Sequence, residues 1–354
     1  MNSFTRYLAR MRLFTARTYL IGIPAYRALL WELPRVIGWR TYNRFSSMLY
    51  AFIDQQQLAD ERTKQALHQF TENDGTYFYV IVVPRVLHLL IPAVQLVQHH
   101  VKVILIFNGI SPVEKDTLRK EFPDTPVLCL WTFPKSSWPH GHLLSLLLRI
   151  SKRDFGIIDH DFFLFDPTVL NQLTFKENEF AICATSWRNS LTGTEFPGTH
   201  FLYLRASLLR DVMERYEVGA QLYKRIPMNV KPVLKEIGLT MDSPPKDYQS
   251  FFDSFLMLSA LAMHDGFKVR KLDITAGNWE HVGGTSIGLQ VTKDPVHHYV
   301  SSRFLELLAD TAITNEYRRK RLATPDKAQQ LRKALDPKIV ARVDMLIDRI
   351  ASVL

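Results

Sequence analysis

Between Tyr77 and Asp159 the chain alternates short, almost wholly apolar runs with longer amphipathic stretches. Tyr77 to Val83 is β-rich and closed by Pro84, and Val101 to Phe107 is a second apolar run stopped by Asn108-Gly109. Pro126 to Trp131 and Phe155 to Asp159 read as a third and a fourth strand. Between them Ile91 to His100 reads as a helix, and His140 to Lys152 is leucine-rich and helical. Ser111, with Pro112 at the next position and Glu114 three residues on, predicts a capped helix that runs to about Phe122. This alternation predicts right-handed βαβ units and a parallel sheet, whose ligands bind at the carboxyl ends of the strands.

The pattern changes on both sides of this block. Residues 1–70 read as helical, with Tyr7, Leu8, Met11, Leu13 and Phe14 interleaved among arginines, and Asn73-Asp74-Gly75 marks a turn. After residue 160 the texture is mixed. Phe180 to Thr185, Thr199 to Leu204 and Lys268 to Leu272 read as strands, and Ser207 to Tyr216 and Tyr248 to Asp265 as helices. The expected organisation is a basic helical extension over 1–74, a mixed α/β domain over 75–302 and a helical tail over 303–354. The fold class is α/β, a Rossmann-type mixed sheet flanked by helices.

Composition narrows the function classes. Apolar content of 47% and charged content of 22% are those of an ordinary globular protein. Residues 1–44 hold eight arginines against one acid, Glu32, and so carry seven of the nine net positive charges. A basic groove for nucleic acid in the main body is therefore not expected. The arginine-rich start fits an amphipathic helix on an anionic membrane surface, an appendage packed on protein, or an organelle transit peptide. No run of about 18 apolar residues predicts a membrane span. Two cysteines, Cys129 and Cys183, exclude a disulfide framework and fit a reducing, cytoplasmic setting, with peripheral attachment to the cytoplasmic face of a membrane as an option.

The candidate chemistry centres on Asp159-His160-Asp161. Strand alternation would put both carboxylates on one face of an apolar run. Burying two carboxylates side by side is unfavourable unless a cation or donors compensate. A divalent metal carrying a diphosphate would do so, whereas the plainer alternative is a pair of capping aspartates, with Asp166-Pro167 following.

A βαβαβ half, an apolar strand ending in Asp-x-Asp and a mixed second half together resemble the nucleotide-sugar glycosyltransferases of the GT-A fold, over roughly residues 76–300. The resemblance implies Mn²⁺ (or Mg²⁺) held by Asp159 and Asp161, with His281 in the place of the late histidine that completes the metal shell. It implies a nucleoside-diphosphate sugar as donor, a UDP-sugar being favoured, and a glycan or glycolipid acceptor. Gly283 and Gly284 would let backbone N–H groups approach the diphosphate. Pro84 and Arg85 lie where such folds hold the nucleoside, Asn108 is placed for the base or ribose, and the loop at His140 and Gly141 resembles one that lies over the nucleotide.

Asp253, on the predicted helix from Phe251 and thirteen residues before Gly266, matches the catalytic base of the inverting members. The chain departs from that pattern, because Phe252 and not an acid precedes it, which leaves the base and the stereochemical outcome open. A capping role for Asp253 is the alternative. Phe196 to Phe201 resembles an acceptor-side loop and strand, with Trp187 and Phe196 as candidates for stacking on a sugar. Two rival functions share the architecture. A sugar nucleotidyltransferase would want a glycine-rich basic loop after the first strand, which Val83-Pro84-Arg85-Val86 does not supply. A non-catalytic peripheral membrane scaffold would keep the fold without the chemistry. A homo-oligomer is compatible with all three.

Overall fold

The computed structural model describes residues 75–130, 137–240, 252–275, 277–283, 295–308, 312–319 and 325–354. The N-terminal extension, and with it residues 1–44, lies outside them. Two strand–helix repeats open the fold: β1 (Tyr77–Val82), α1 (Leu87–Val97), β2 (Lys102–Phe107), α2 (Pro112–Glu121) and β3 (Val127–Cys129). Then come α3 (His140–Ile150), β4 (Phe155–Ile158), β5 (Phe162–Leu164), β6 (Glu179–Cys183), β7 (Ser186–Arg188), β8 (Glu195–Pro197) and β9 (Phe201–Leu204). The rest is α4 (Ala206–Tyr216), α5 (Lys231–Glu236), α6 (Leu256–His264), β10 (Lys268–Lys271), β11 (Trp279–His281), α7 (Pro295–Leu307), α8 (Ala312–Arg319), α9 (Pro325–Ala334) and α10 (Pro337–Val353).

Seven strands form the main sheet in the order β10-β6-β9-β4-β1-β2-β3. Only β9 runs antiparallel to its neighbours, β4 and β6. The fold is thus mixed α/β with a mostly parallel central sheet and helices on both faces. All six residues of β1 are buried, as expected for a strand covered on two sides. Phe78, Val80 and Val82 face one core with α1, α7 and α10, and Tyr77, Tyr79 and Ile81 face the other with α3, α4 and α6. After β1 the chain moves to β2 on one side, and after α3 it returns to β4 on the other. The carboxyl ends of β1 and β4 therefore flank the switch-point crevice where open α/β sheets take ligands.

The capping box at Ser111 forms as the sequence predicts, with the Ser111 side chain accepting from the Glu114 N–H. Other boundaries differ. The helix expected from Ile91 starts at Leu87, and Pro92 lies inside it and not at its first turn. The third strand is shortened to Val127–Cys129. The helix expected over Tyr248–Asp265 begins only at Leu256, because Phe252 pairs with Tyr223 and Phe255 takes a left-handed conformation at φ +72°. The C-terminal helices pack on the sheet's core. Phe304 of α7 stacks on Phe163 of β5 at 5.2 Å, and Val340, Val343, Leu346, Ile347 and Ile350 of α10 lie in the same core as β1 and β2.

Candidate functional site

Asp159 and Asp161 flank a turn and do not share a strand. β4 ends at Ile158, the Phe162 N–H donates to the Asp159 carbonyl at 3.1 Å, and the chain restarts as β5 at Phe162. The expectation that strand alternation aligns the two carboxylates is therefore corrected: a tight turn converges them. This turn also redirects the chain out of the main sheet. β5 pairs antiparallel with β11, so His281 lies opposite Phe162, and the Val282 N–H donates to the Asp161 carbonyl at 3.1 Å.

Pairing of β5 with β11 thus delivers a residue 120 positions away in sequence to the aspartates. His281 Nε2 lies 3.3 Å from Asp161 Oδ1 and 3.9 Å from Asp159 Oδ2. One ligand-type atom from each of Asp159, Asp161 and His281 falls within 4.8 Å of the others, the spacing that one small cation needs. Asp161 is only 2% exposed, whereas Asp159 and His281 are half-buried and open the group to ligand. Two carboxylates and one imidazole suit a divalent cation of intermediate hardness.

The electrostatics agree with a cation site. Burial, then the Asp161 charge, pushes the Asp159 carboxyl up to about 6, against smaller opposing effects of His160 and His281. For His281, burial disfavours the charged ring, but the hydrogen bond and charge of Asp161, with Asp159 and Glu280, outweigh it and hold the imidazole above its ordinary range. Without a cation the group is compensated by holding protons on Asp159 and His281, the place a divalent cation would take.

A second layer fixes these residues, and sequence reasoning did not assign it. The His200 ring stacks on His281 at 4.2 Å, and His200 Nε2 shares a hydrogen bond of 2.9 Å with Thr185 Oγ1. The His200 carbonyl accepts the Asp159 N–H at 2.9 Å. Burial first, and then the nearby His281, pushes His200 down to about 3, so it stays neutral beside the site. Phe162 and Trp279 complete the stack, with ring centroids 5.5 Å apart. Gly198 leaves room for this layer, since a Cβ there would come within 2.2 Å of Thr185 Oγ1 and 2.9 Å of His200 Cε1. No sequence motif marks His200; its place follows from β9 starting beside the end of β4. On the outer side, Arg342 of α10 pairs with Glu280, and the Arg349 guanidinium lies 3.9 Å from the Phe165 ring centroid. The last helix therefore braces the ribbon that carries His281.

The other predicted residues fall at the same end of the sheet but differ in what they do. Pro84 and Arg85 leave the end of β1, next to the strand that leads into Asp159, and Arg85 is exposed with φ +71°. Asn108 is buried, and its carboxamide clamps Trp138: Oδ1 accepts the Trp138 N–H at 2.7 Å and Nδ2 donates to the Trp138 carbonyl at 3.0 Å. It orders the approach to α3, and its side chain is not turned to an open site. Gly141 has a packing reason, because a Cβ would lie 2.3 Å from the Ala220 carbonyl oxygen.

His140 starts α3, and burial pushes its ring below the ordinary range, opposed by the Asp253 charge, so these two predicted residues are neighbours. Asp253 sits on the turn before α6, with its Oδ1 accepting the Ser254 N–H at 2.8 Å. The placement expected on the helix itself is corrected by the Phe252 pairing and the left-handed Phe255. Gly283 takes φ +70°, where glycine is favoured, at the turn after His281; Gly284 lies outside the described residues. Trp187 and Phe196 stack on each other at 6.1 Å, and Phe196 is fully buried, which removes it as a sugar platform.

Among the described residues, no helix is long and apolar enough to cross a membrane. No curated protein matches the chain in sequence. Among solved structures, that of 4-diphosphocytidyl-2C-methyl-D-erythritol synthase is similar over 58% of this chain and 94% of that one, at 12% identity and a TM-score of 0.31. A likeness of that size does not bear on the reaction. Residues 54–209 match the family model of the StrH glycosyltransferase N-terminal domain. Over that stretch, which contains both Asp159 and Asp161, the chain is similar to a glycosyltransferase-related family.

Proposed function

We propose that this protein is a metal-dependent glycosyltransferase, moving a sugar from a nucleoside-diphosphate donor to the hydroxyl of a glycan or glycolipid acceptor. The convergence of Asp159, Asp161 and His281 at the carboxyl end of a mostly parallel sheet carries this reading. The similarity of residues 54–209 to a glycosyltransferase domain supports it.

In this reading Asp159, Asp161 and His281 hold Mn²⁺ or Mg²⁺, and the histidine favours Mn²⁺. When bound, such a cation supplies positive charge to the departing diphosphate. Pro84 and Arg85 face the nucleoside, favoured as uridine. His140 and Gly141 border the nucleotide, and the backbone at Gly283 approaches the diphosphate. Asp253 takes the proton of the acceptor hydroxyl as its oxygen attacks the anomeric carbon. The half-buried Asp159 and the exposed Arg85 flank the crevice into which the donor would fit.

The test is release of nucleoside diphosphate from a panel of nucleotide sugars, with Mn²⁺ and with EDTA. Metal-dependent release that is lost in Asp161→Ala is the expected outcome. Release that survives both EDTA and Asp161→Ala would remove the assignment.

A further inference from the structure

A buried polar cluster lies under the turn that leaves β1, and it is built from elements far apart in sequence. Glu114 of α2 is 2% exposed. Its Oε1 accepts the Arg85 N–H at 2.7 Å and the Tyr317 hydroxyl at 2.8 Å, while Oε2 accepts the Ser111 N–H at 2.8 Å. The Tyr317 oxygen in turn accepts the Leu87 N–H at 3.3 Å. Tyr317 belongs to α8, 230 residues beyond Leu87. His88, 0% exposed, packs edge-on against the Tyr317 ring at 5.4 Å and shares a hydrogen bond of 2.7 Å with Ser301 of α7.

The turn needs such support. Arg85 holds φ +71°, a left-handed conformation that is strained for a non-glycine residue and persists only where the surroundings impose it. Val86 caps α1 without a side-chain hydrogen bond. The N–H groups of Arg85 and Leu87 are satisfied instead by Glu114 and Tyr317. Glu114 alone, already committed to Ser111 in the capping box, reaches only the first of them.

We infer that Glu114 and Tyr317 are positioning residues that preset the Pro84–Leu87 turn for the nucleoside end of the donor. Helix α8 thereby takes part in donor binding without touching the donor. This rests on the proposed function, in which Pro84 and Arg85 face the nucleoside.

The experiment is calorimetric titration of UDP, GDP, ADP and CDP into the full-length protein at saturating Mn²⁺. Tyr317→Phe keeps the ring and removes the hydroxyl. Tyr299→Phe is the control, since it removes a comparable hydrogen bond in the same helical layer, to Asp344 at 3.0 Å, away from the turn. Tyr317→Phe is expected to weaken the preferred nucleotide roughly five- to tenfold, as when the competent turn becomes a minority conformer. Its affinity for Mn²⁺ alone should stay at the wild-type value, and Tyr299→Phe should bind nucleotide as wild type does. Glu114→Gln, similar in size, should reproduce the nucleotide loss, and it decides the matter if Tyr317→Phe does not fold. Unchanged nucleotide affinity in the folded variants, or an equal loss in Tyr299→Phe, overturns the inference. If the wild type binds none of the four nucleotides, the functional reading itself falls, and the inference with it.

Discussion

Lowering the pH from 7 to 5 should strip the metal from this site by a calculable amount. Binding requires Asp159 ionised and His281 neutral. With the Asp159 carboxyl pushed up to about 6, its ionised fraction drops from about 0.9 to about 0.1 over that interval, weakening the metal about tenfold. His281, held above its ordinary range against the opposing effect of burial by the hydrogen bond and charge of Asp161, becomes increasingly protonated over the same interval and weakens binding further. The two groups interact and titrate as a unit, so we expect a combined loss of more than about tenfold, about 1.4 kcal/mol at the lower figure.

The sign for stability is the reverse. Both folded pKa values lie above the unfolded ones, so in metal-free protein these groups stabilise at low pH. That contribution is lost as pH rises through the folded values, from about 4 to 6 for Asp159 and above 6.5 for His281. Bound metal should therefore raise the melting temperature more at pH 7 than at pH 5. Titration of Mn²⁺ in two buffers of different ionisation enthalpy counts the protons directly. More protons per metal should be released at pH 6 than at pH 8. A metal affinity that does not change between pH 5 and 7, with no proton release, would refute the assignment of Asp159 and His281.

Further tests probe the base, the second layer and the helical frame. Asp253→Asn should lower kcat by about 10²- to 10⁴-fold and leave nucleotide affinity unchanged; equal kcat in mutant and wild type would remove Asp253 as base. Gly198→Ala places a Cβ against Thr185 and His200, and should cost about 1–3 kcal/mol in urea unfolding and weaken Mn²⁺ binding. If Gly198→Ala loses stability but keeps full Mn²⁺ affinity, the stacked His200 does not position His281. Phe304→Ala should cost about 3–5 kcal/mol in a single cooperative transition, because Phe304 is fully buried against Phe163. A loss below about 1 kcal/mol would show that α7 is an independent appendage.

What the chain disclosed by itself follows from where short-range signals suffice. β1 and β4 are wholly apolar, and β2 is apolar after Lys102, because both sheet faces are covered, and the Ser111 capping box is a local motif; both are legible in the sequence. The carboxylate pair was legible as residues but not as geometry, since apolar run and turn merge in Phe155–Phe165 and only the departure of β5 toward β11 shows where the strand stops. The sequence reads as a helix through Asp253 because the stretch from Phe251 to Met263 is mostly apolar, broken only by Asp253, Ser254 and Ser259. The Tyr223–Phe252 bridge, a contact across 29 residues, overrides that local preference. His200 carried no motif; its meaning comes from β9 lying antiparallel beside β4. The C-terminal helices looked like a tail because their contacts with β5, α1 and α2 join positions more than 130 residues apart, which no periodicity reveals.

The most direct measurement is a crystal structure of the protein soaked with Mn²⁺ and UDP, with anomalous diffraction recorded to locate the manganese. A manganese peak is expected among Asp159, Asp161 and His281, with the diphosphate on its open side and the uridine toward Pro84 and Arg85. A manganese peak elsewhere, or a nucleotide bound away from the crevice between β1 and β4, would contradict it.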